Sequence, residues 1–258
     1  GACIDACPVA CILDKPSKWQ GNPQRIVTTT CPHCGDGCQL EVEVKQEKIL
    51  RVTPSKEGPA NHGFGCARGR SGLGFVHDPG RLTTPLVRRD GRLVEASWDE
   101  ALAFVAKRLA PYKGDQFTAV ASPKATNEEN YLLQKFARAV MGTNNIDSYA
   151  RVDHPDVTQA LMETLGYPAM TGSLDDIAEA KCLLVIGSDT AVTHPIAAWQ
   201  ARNASRFKGG SLIVANPRHN EMVDWADLWL RYRPGTEVAL LGAMMSVILE
   251  EGLADQEF

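Results

Sequence analysis

The chain has 258 residues, 44% of them hydrophobic, which is enough for the core of one large or two ordinary domains and excludes disorder as its main state. Its 27 Lys and Arg face 31 Asp and Glu, and a net charge of -4 leaves no electrostatic footprint for nucleic acid or anionic lipid. No apolar run approaches the ~18 residues of a membrane helix, so direct membrane insertion is not expected.

Seven of the 8 cysteines fall at or before position 66, and only Cys182 lies beyond. A secreted disulfide scaffold would be short and loop-rich, whereas here a long cysteine-poor remainder follows, so thiolates for metal are the better reading. Cys3-Ile4-Asp5-Ala6-Cys7-Pro8 matches the end of the bacterial ferredoxin run C-x2-C-x2-C-x3-C-P, whose fourth cysteine serves a neighbouring cluster. Cys7 is therefore expected to ligate the upstream cluster and Cys3 the other of the pair, with Cys11 a packed free thiol. Lys15 to Lys18 read as a connector, and the first module ends near residue 23. A start at Gly1 and an end at Phe258 without a recognisable tail read as a fragment of a larger multidomain subunit.

Ile26 to Thr30, Leu40 to Val44 and Ile49 to Thr53 are strand-like, the last two joined by a tight turn near Gln46 and Glu47. Around them Cys31, Cys34, Cys38 and Cys66 form C-x2-C-x3-C-x27-C, with Gly35 and Gly37 letting the backbone wrap closely. Four thiolates hold either an iron-sulfur cubane or a tetrahedral zinc, and Cys-Pro-His-Cys at 31–34 is similar to a zinc knuckle. Structural zinc usually takes two two-ligand clips, while three cysteines crowd one loop here, which favours a 4Fe-4S cluster.

Leu86-Val87 and Leu93-Val94 flank Asp90-Gly91, a hairpin signal, and Ser97-Trp98-Asp99-Glu100 opens a helix that places Trp98, Leu102, Val105 and Leu109 on one face before Pro111. From there the pattern turns to α/β. A strand is expected over Phe117–Ala121, then a helix capped by Thr126 and Glu129 that stops at Gly142. Leu183–Ile186, the helix Pro195–Phe207 and Leu212–Val214 make a βαβ unit, hence a parallel sheet, and a last helix, Glu237–Glu251, carries a core face of Leu240, Leu241, Met244, Met245 and Ile248. The expected architecture is a small N-terminal iron-sulfur domain of strands and loops followed by a Rossmann-like α/β domain with a mainly parallel sheet. Its expected divisions are 1–23, the end of a ferredoxin-type module; 24–80, the cluster domain; and 81–258, an incomplete dinucleotide-binding region.

Thr30-Cys31-Pro32-His33-Cys34-Gly35, Gly65-Cys66-Ala67-Arg68-Gly69-Arg70, Arg81-Leu82-Thr83-Thr84-Pro85-Leu86, Asn127 to Tyr131, Gly142 to Asp147, Val185 to Ser188, His194-Pro195, Asn216-Pro217-Arg218 and Arg233 to Thr236 carry a resemblance. The chain resembles the molybdopterin oxidoreductases (dimethyl sulfoxide reductase superfamily), within them the cytoplasmic formate dehydrogenase alpha subunit and, less closely, the cluster-bearing large subunit of respiratory complex I. The resemblance implies a 4Fe-4S cluster on the four cysteines and a bis-molybdopterin guanine dinucleotide carrying Mo or W. It implies that Arg68, where formate dehydrogenases usually have Lys, lies between cluster and pterin. Gly187, Ser188 and Asp189 after one strand, Asn216 and Arg218 after the next, and Gly235, Thr236 and Glu237 at the last helix would approach the dinucleotide, since α/β sheets receive such ligands at strand ends. The family often has Asn at the position of Asp189 and Asp at that of Asn216.

The main departure is Asp153, where formate dehydrogenases carry selenocysteine or cysteine, followed by the retained His154. A carboxylate is a harder ligand than a thiolate, and His154 is a candidate proton carrier. The resemblance implies a formate dehydrogenase-like enzyme of the cytoplasm that passes electrons to iron-sulfur or flavin subunits and an NAD-linked or hydrogenase module. The alternative is an electron-relay subunit of a complex I-like or hydrogenase-like assembly that has lost its Mo or W, towards which Asp153, Asp189 and Asn216 tilt. A third reading is a zinc-stabilised nucleotide-binding module.

Overall fold

The computed structural model describes residues 2–5, 7–9, 11–12 and 18–257, so most of the connector at 15–18 lies outside the described residues. Residues 1–74 and 172–258 make one compact unit, and 75–171 make a second. After a single turn, α1 (Ala2–Asp5), three strands form an antiparallel meander: β1 (Arg25–Thr30), β2 (Gln39–Lys45) and β3 (Lys48–Pro54). The β2–β3 turn places Gln46 and Glu47 at φ 49° and 59°. Alternation along β2 turns Leu40 and Val42 inward, and with Val52 of β3 they make an apolar bed against Cys31, Cys38 and Ile196. A short helix, α2 (Ala67–Ser71), starts right after Cys66, and a 3-10 turn covers Gly72–His77.

The second unit carries the hairpin β4 (Leu86–Arg89) and β5 (Arg92–Glu95), with Asp90 and Gly91 at the positive φ that its two-residue turn demands. Capping boxes at Ser97/Glu100 and Thr126/Glu129 start α3 (Trp98–Leu109) and α4 (Asn127–Lys135), as the sequence implies. The latter runs into a π turn, Phe136–Val140, before Gly142. Between them β6 (Ala119–Ala121) pairs in parallel with β7 (Ile146–Ser148); it is shorter than expected because Phe117 caps a 3-10 turn and packs edge-on against Phe136. Two helices, α5 (Ala150–Asp153) and α6 (Pro155–Leu165), complete this unit. The expected core face of α3 is corrected: Trp98 is 68% and Leu102 59% exposed, since no described residue covers them.

The chain then returns to the first unit through α7 (Leu174–Glu179), β8 (Cys182–Ile186), α8 (Thr190–Thr193), α9 (Pro195–Phe207), β9 (Ser211–Ala215), α10 (Glu221–Trp225), β10 (Leu228–Leu230) and α11 (Glu237–Glu250). The sheet order is β10-β9-β8, parallel throughout, so the βαβ expectation holds. Ala198 and Ala201 of α9 pack on Leu212 and Val214 of β9 together with Met222 and Val223. Small residues on α9 let it lie close to the strands. The supposed core face of α11 is also corrected, for Leu240, Leu241 and Met244 are half-buried whereas Met245 and Ile248 are exposed.

Candidate cofactor-binding sites

The cysteine loop leaves β1 and returns into β2, closed by the Cys31 amide donating to the Cys38 carbonyl at 2.8 Å. Cys31 and Cys38 are buried on the apolar bed, while Cys34 and Cys66 are half-buried. Burial pushes the Cys38 thiol up to about 12, aided by Asp36 and by repulsion from Cys31, Cys34 and Cys66, so the four sulfurs share one electrostatic neighbourhood. Burial also raises Cys34, while the Arg68 charge acts the other way. Four thiolates gathered in such surroundings require a cationic partner, and loading them releases protons. Among the described residues no three Cys, His, Asp or Glu side chains close around one point. A single zinc draws every sulfur to about 2.3 Å from itself, whereas a cubane offers a separate iron to each thiolate, and the wider arrangement suits the cubane.

The arm carrying Cys66 is held by a residue that the cysteine pattern does not flag. Asn61, 1% exposed, accepts from the Gln39 amide at 2.8 Å and donates to the carbonyls of Gln39 and Phe64 at 3.3 and 2.8 Å. It fastens the 55–66 loop to the start of β2. Just beyond Cys66, Arg68 donates through Nη2 to the carbonyl oxygens of Val192 and Thr193 at the end of α8. Asp36 of the cysteine loop accepts from the Ile196 amide at the start of α9. The His194 ring stands close to the same loop, its Nε2 3.5 Å from where a Cβ on Gly35 would lie.

The ends of β8 and β9 bring several expected residues together. Gly187 adopts φ 63° and donates its amide to the Ala215 carbonyl. The Ser188 carbonyl accepts from Asn216 and Asn220 at 3.1 and 3.2 Å, and the Ser188 and Thr190 hydroxyls meet at 2.8 Å. Arg218 ties the two loops, with Nη2 donating to Asp189 Oδ2 at 2.8 Å and its amide to Asn216 Oδ1 at 2.9 Å. The other Asp189 oxygen, Oδ1, is buried with no hydrogen-bond partner among the described residues, an acceptor aimed where a donor-bearing ligand would satisfy it. At the start of α11, Thr236 donates to the Arg233 carbonyl, while Gly235 and Thr236 are exposed. Glu237 reaches the same neighbourhood through Tyr232: the phenol bonds to Glu237, and its oxygen lies 3.5 Å from where a Cβ on Gly187 would stand. Sequence reasoning missed Tyr232, whose phenol is raised by burial and by that carboxylate.

In the second unit Asp153 closes α5, and its side chain lies outside the described ones. His154 starts α6 ahead of Pro155, with Nδ1 2.9 Å from the Thr158 hydroxyl. The imidazole borders an open cleft with Asp147, Arg151 and Gln159, and Arg151 is paired to Asp147 at 2.6 Å. Near the N-terminus Cys3 is exposed, and the Cys7 and Cys11 sulfurs lie 3.3 Å apart. Backbone donors led by Ile12, with Cys11, lower the Cys7 thiol to about 7. Cys11 is exposed, a correction to the packed thiol expected from the sequence.

The cysteine loop, its arm and the strand-end loops are those of a known class: residues 24–78 match the molybdopterin oxidoreductase Fe4S4 domain and residues 81–257 the molybdopterin oxidoreductase model, and the chain belongs to the molybdopterin oxidoreductase family. A 4Fe-4S cluster and a molybdopterin are the cofactors of that family's two domains. The chain is 42% identical over 233 residues to the F420-dependent formate dehydrogenase 1 subunit alpha of Methanococcus maripaludis, covering 90% of this chain and 34% of that protein. It is 42% identical over 234 residues to the F420-dependent formate dehydrogenase subunit alpha of Methanocaldococcus jannaschii, covering 91% of this chain and 34% of that one. It thus spans about a third of the length of these curated relatives. The solved acetylene hydratase from Pelobacter acetylenicus shares the fold, with TM-score 0.63 and 23% identity over 89% of this chain and 32% of its own. No helix among the described residues is long and apolar enough to cross a membrane.

Proposed function

We propose that this chain is the cluster-bearing part of a formate dehydrogenase-like oxidoreductase of the cytoplasm, with Cys31, Cys34, Cys38 and Cys66 holding the 4Fe-4S cluster and the β8 and β9 loops holding a pterin dinucleotide. The observation that carries the reading is Arg68: it sits beside Cys34 and hydrogen-bonds the helix that follows Asp189, so one side chain spans the two candidate sites. A bound bis-molybdopterin guanine dinucleotide with Mo or W supplies two-electron chemistry. The residues of this chain bind and orient it. Asp189 Oδ1 offers an acceptor to nucleotide donors, Ser188 and Asn216 shape the loop, Arg218 supplies a cation, and Gly235, Thr236 and Glu237 open α11 towards the same end of the sheet. Residues 24–80 and 81–258 act as the cluster and dinucleotide portions. Cys3 and Cys7 serve ferredoxin-type clusters of an upstream module, through which electrons pass to iron-sulfur or flavin subunits and an NAD-linked or hydrogenase module.

Asp153 is assigned to the metal and His154, steadied by Thr158, to proton acceptance. Formate oxidation by relatives' chemistry needs a soft ligand at that position, so formate turnover here is expected to be low. That same residue favours a second reading, an electron relay without Mo or W. Metal analysis of the full-length protein separates them: Mo or W with iron supports the enzyme, iron alone the relay, zinc alone neither. Formate-dependent dye reduction lost in Asp153→Ala would show that the carboxylate works. Cys34→Ala is expected to abolish the EPR signal of the cluster, and an unchanged signal would overturn the ligand assignment.

A further inference from the structure

Helix α9 begins with a defect that its own sequence does not repair. Pro195 occupies its first position and has no amide proton, and the preceding His194 provides no side-chain cap among the described residues. The first free amide is that of Ile196. Asp36, 160 positions earlier, accepts from it at 3.1 Å through Oδ2. That carboxylate is only 6% exposed, and the same oxygen is 3.5 Å from Cys34 Sγ. The Ile196 side chain, 4% exposed, packs into the bed under Cys31 and Cys38, so backbone and side chain of one residue both engage the cysteine loop.

A carboxylate is seldom buried without compensation, and the positive end of α9 supplies it. Once Cys34 is a thiolate it can no longer donate to Asp36, leaving the Ile196 amide and the helix end to hold the charge in place. We propose that Asp36 is a positioning residue with two effects: it latches the cysteine loop onto the start of α9, and as a fixed negative charge beside Cys34 it lowers the reduction potential of a cluster held by the four cysteines. Reduction adds one electron to the cluster, and a neighbouring anion in a poorly solvated place opposes that addition. The latch also links the cluster to the dinucleotide side, since α9 follows the Ser188–Asp189 loop by way of α8.

The test is an EPR-monitored redox titration of the full-length, cluster-loaded protein, combined with hydrogen exchange at the Ile196 amide. Asp36→Asn keeps an acceptor for that amide and removes the charge. It is expected to leave exchange slow while raising the reduced-to-oxidised ratio at a fixed potential about tenfold, equivalent to 59 mV for one electron. Asp36→Ala is expected to give the same shift in ratio and at least roughly tenfold faster exchange. An Asp36→Asn cluster that titrates at the wild-type potential overturns the electrostatic role. An Ile196 amide that exchanges like a free loop amide in the unmutated protein overturns the latch, whichever variants fold. The proposal rests on the cluster assignment: absence of a cluster signal in the unmutated protein overturns that assignment, whereas a signal whose potential ignores Asp36 overturns this inference alone.

Discussion

Arg68 lies 124 positions before Val192, yet its Nη2 donates to the Val192 carbonyl at 2.7 Å and to the next carbonyl, of Thr193, at 3.1 Å. A cation at the end of one helix and a carboxylate, Asp36, at the start of the next both match the local backbone charge. The exposed Arg68 head limits what the contact contributes, so Arg68→Ala is expected to cost about 1 kcal/mol in urea unfolding. Arg68→Lys should recover part of it, because an ammonium donates but lacks the planar fork that reaches two carbonyls. Equal unfolding midpoints for all three proteins would show that the bonds add nothing.

Asn61→Ala should be more damaging. It removes three bonds from a side chain 1% exposed and leaves the Gln39 amide and two carbonyls without their partner. The expected loss is about 3 kcal/mol. Because Asn61 holds the loop leading to Cys66, iron content should fall as well, measured as iron per chain after purification.

Asp189 and Asn216 both engage Arg218, one through its guanidinium and the other through its amide. Asn216→Asp removes the donor to the Ser188 carbonyl and sets a second carboxylate beside Asp189. The double variant Asp189→Asn/Asn216→Asp restores one carboxylate and one amide. The two substitutions should therefore be non-additive, with a coupling of about 1 kcal/mol in a denaturation cycle. Additive costs would indicate that the side chains act independently.

The pH dependence at low pH should carry the mark of Asp227. The Leu212 amide, donating at 2.8 Å, holds this carboxyl below its ordinary 3.8, with help from Ser205 and Arg206. A depressed folded value means that the unfolded chain takes up the proton first as pH falls. The stabilisation is full above the ordinary value and is lost as pH drops through the folded one. Asp227→Asn should therefore show a smaller fall in urea midpoint between about pH 5 and about pH 3 than the unmutated protein. Parallel falls would sink this assignment.

Local chemistry was legible in the residues themselves. Capping boxes at Ser97 and Thr126, the Asp90-Gly91 turn and the strand-helix-strand order around α9 depend on neighbours within a few positions, and each stands where pattern places it. The four-cysteine spacing likewise announced a metal cluster, because loop length and thiol number are properties of sequence. Periodicity could not decide burial, however. The apolar faces of α3 and α11 read as core and are largely exposed, since burial depends on what another element brings to a face. The contacts that organise the candidate sites were hidden for the same reason: Asp36 with Ile196, Arg68 with Val192, Asn61 with Gln39 and Tyr232 with Glu237 join residues whose types are ordinary in a loop. Only folding brings a carboxylate to a helix that starts with proline, or a buried amide to a strand it must hold, and hydrogen bonds act over about three ångströms whatever the separation along the chain.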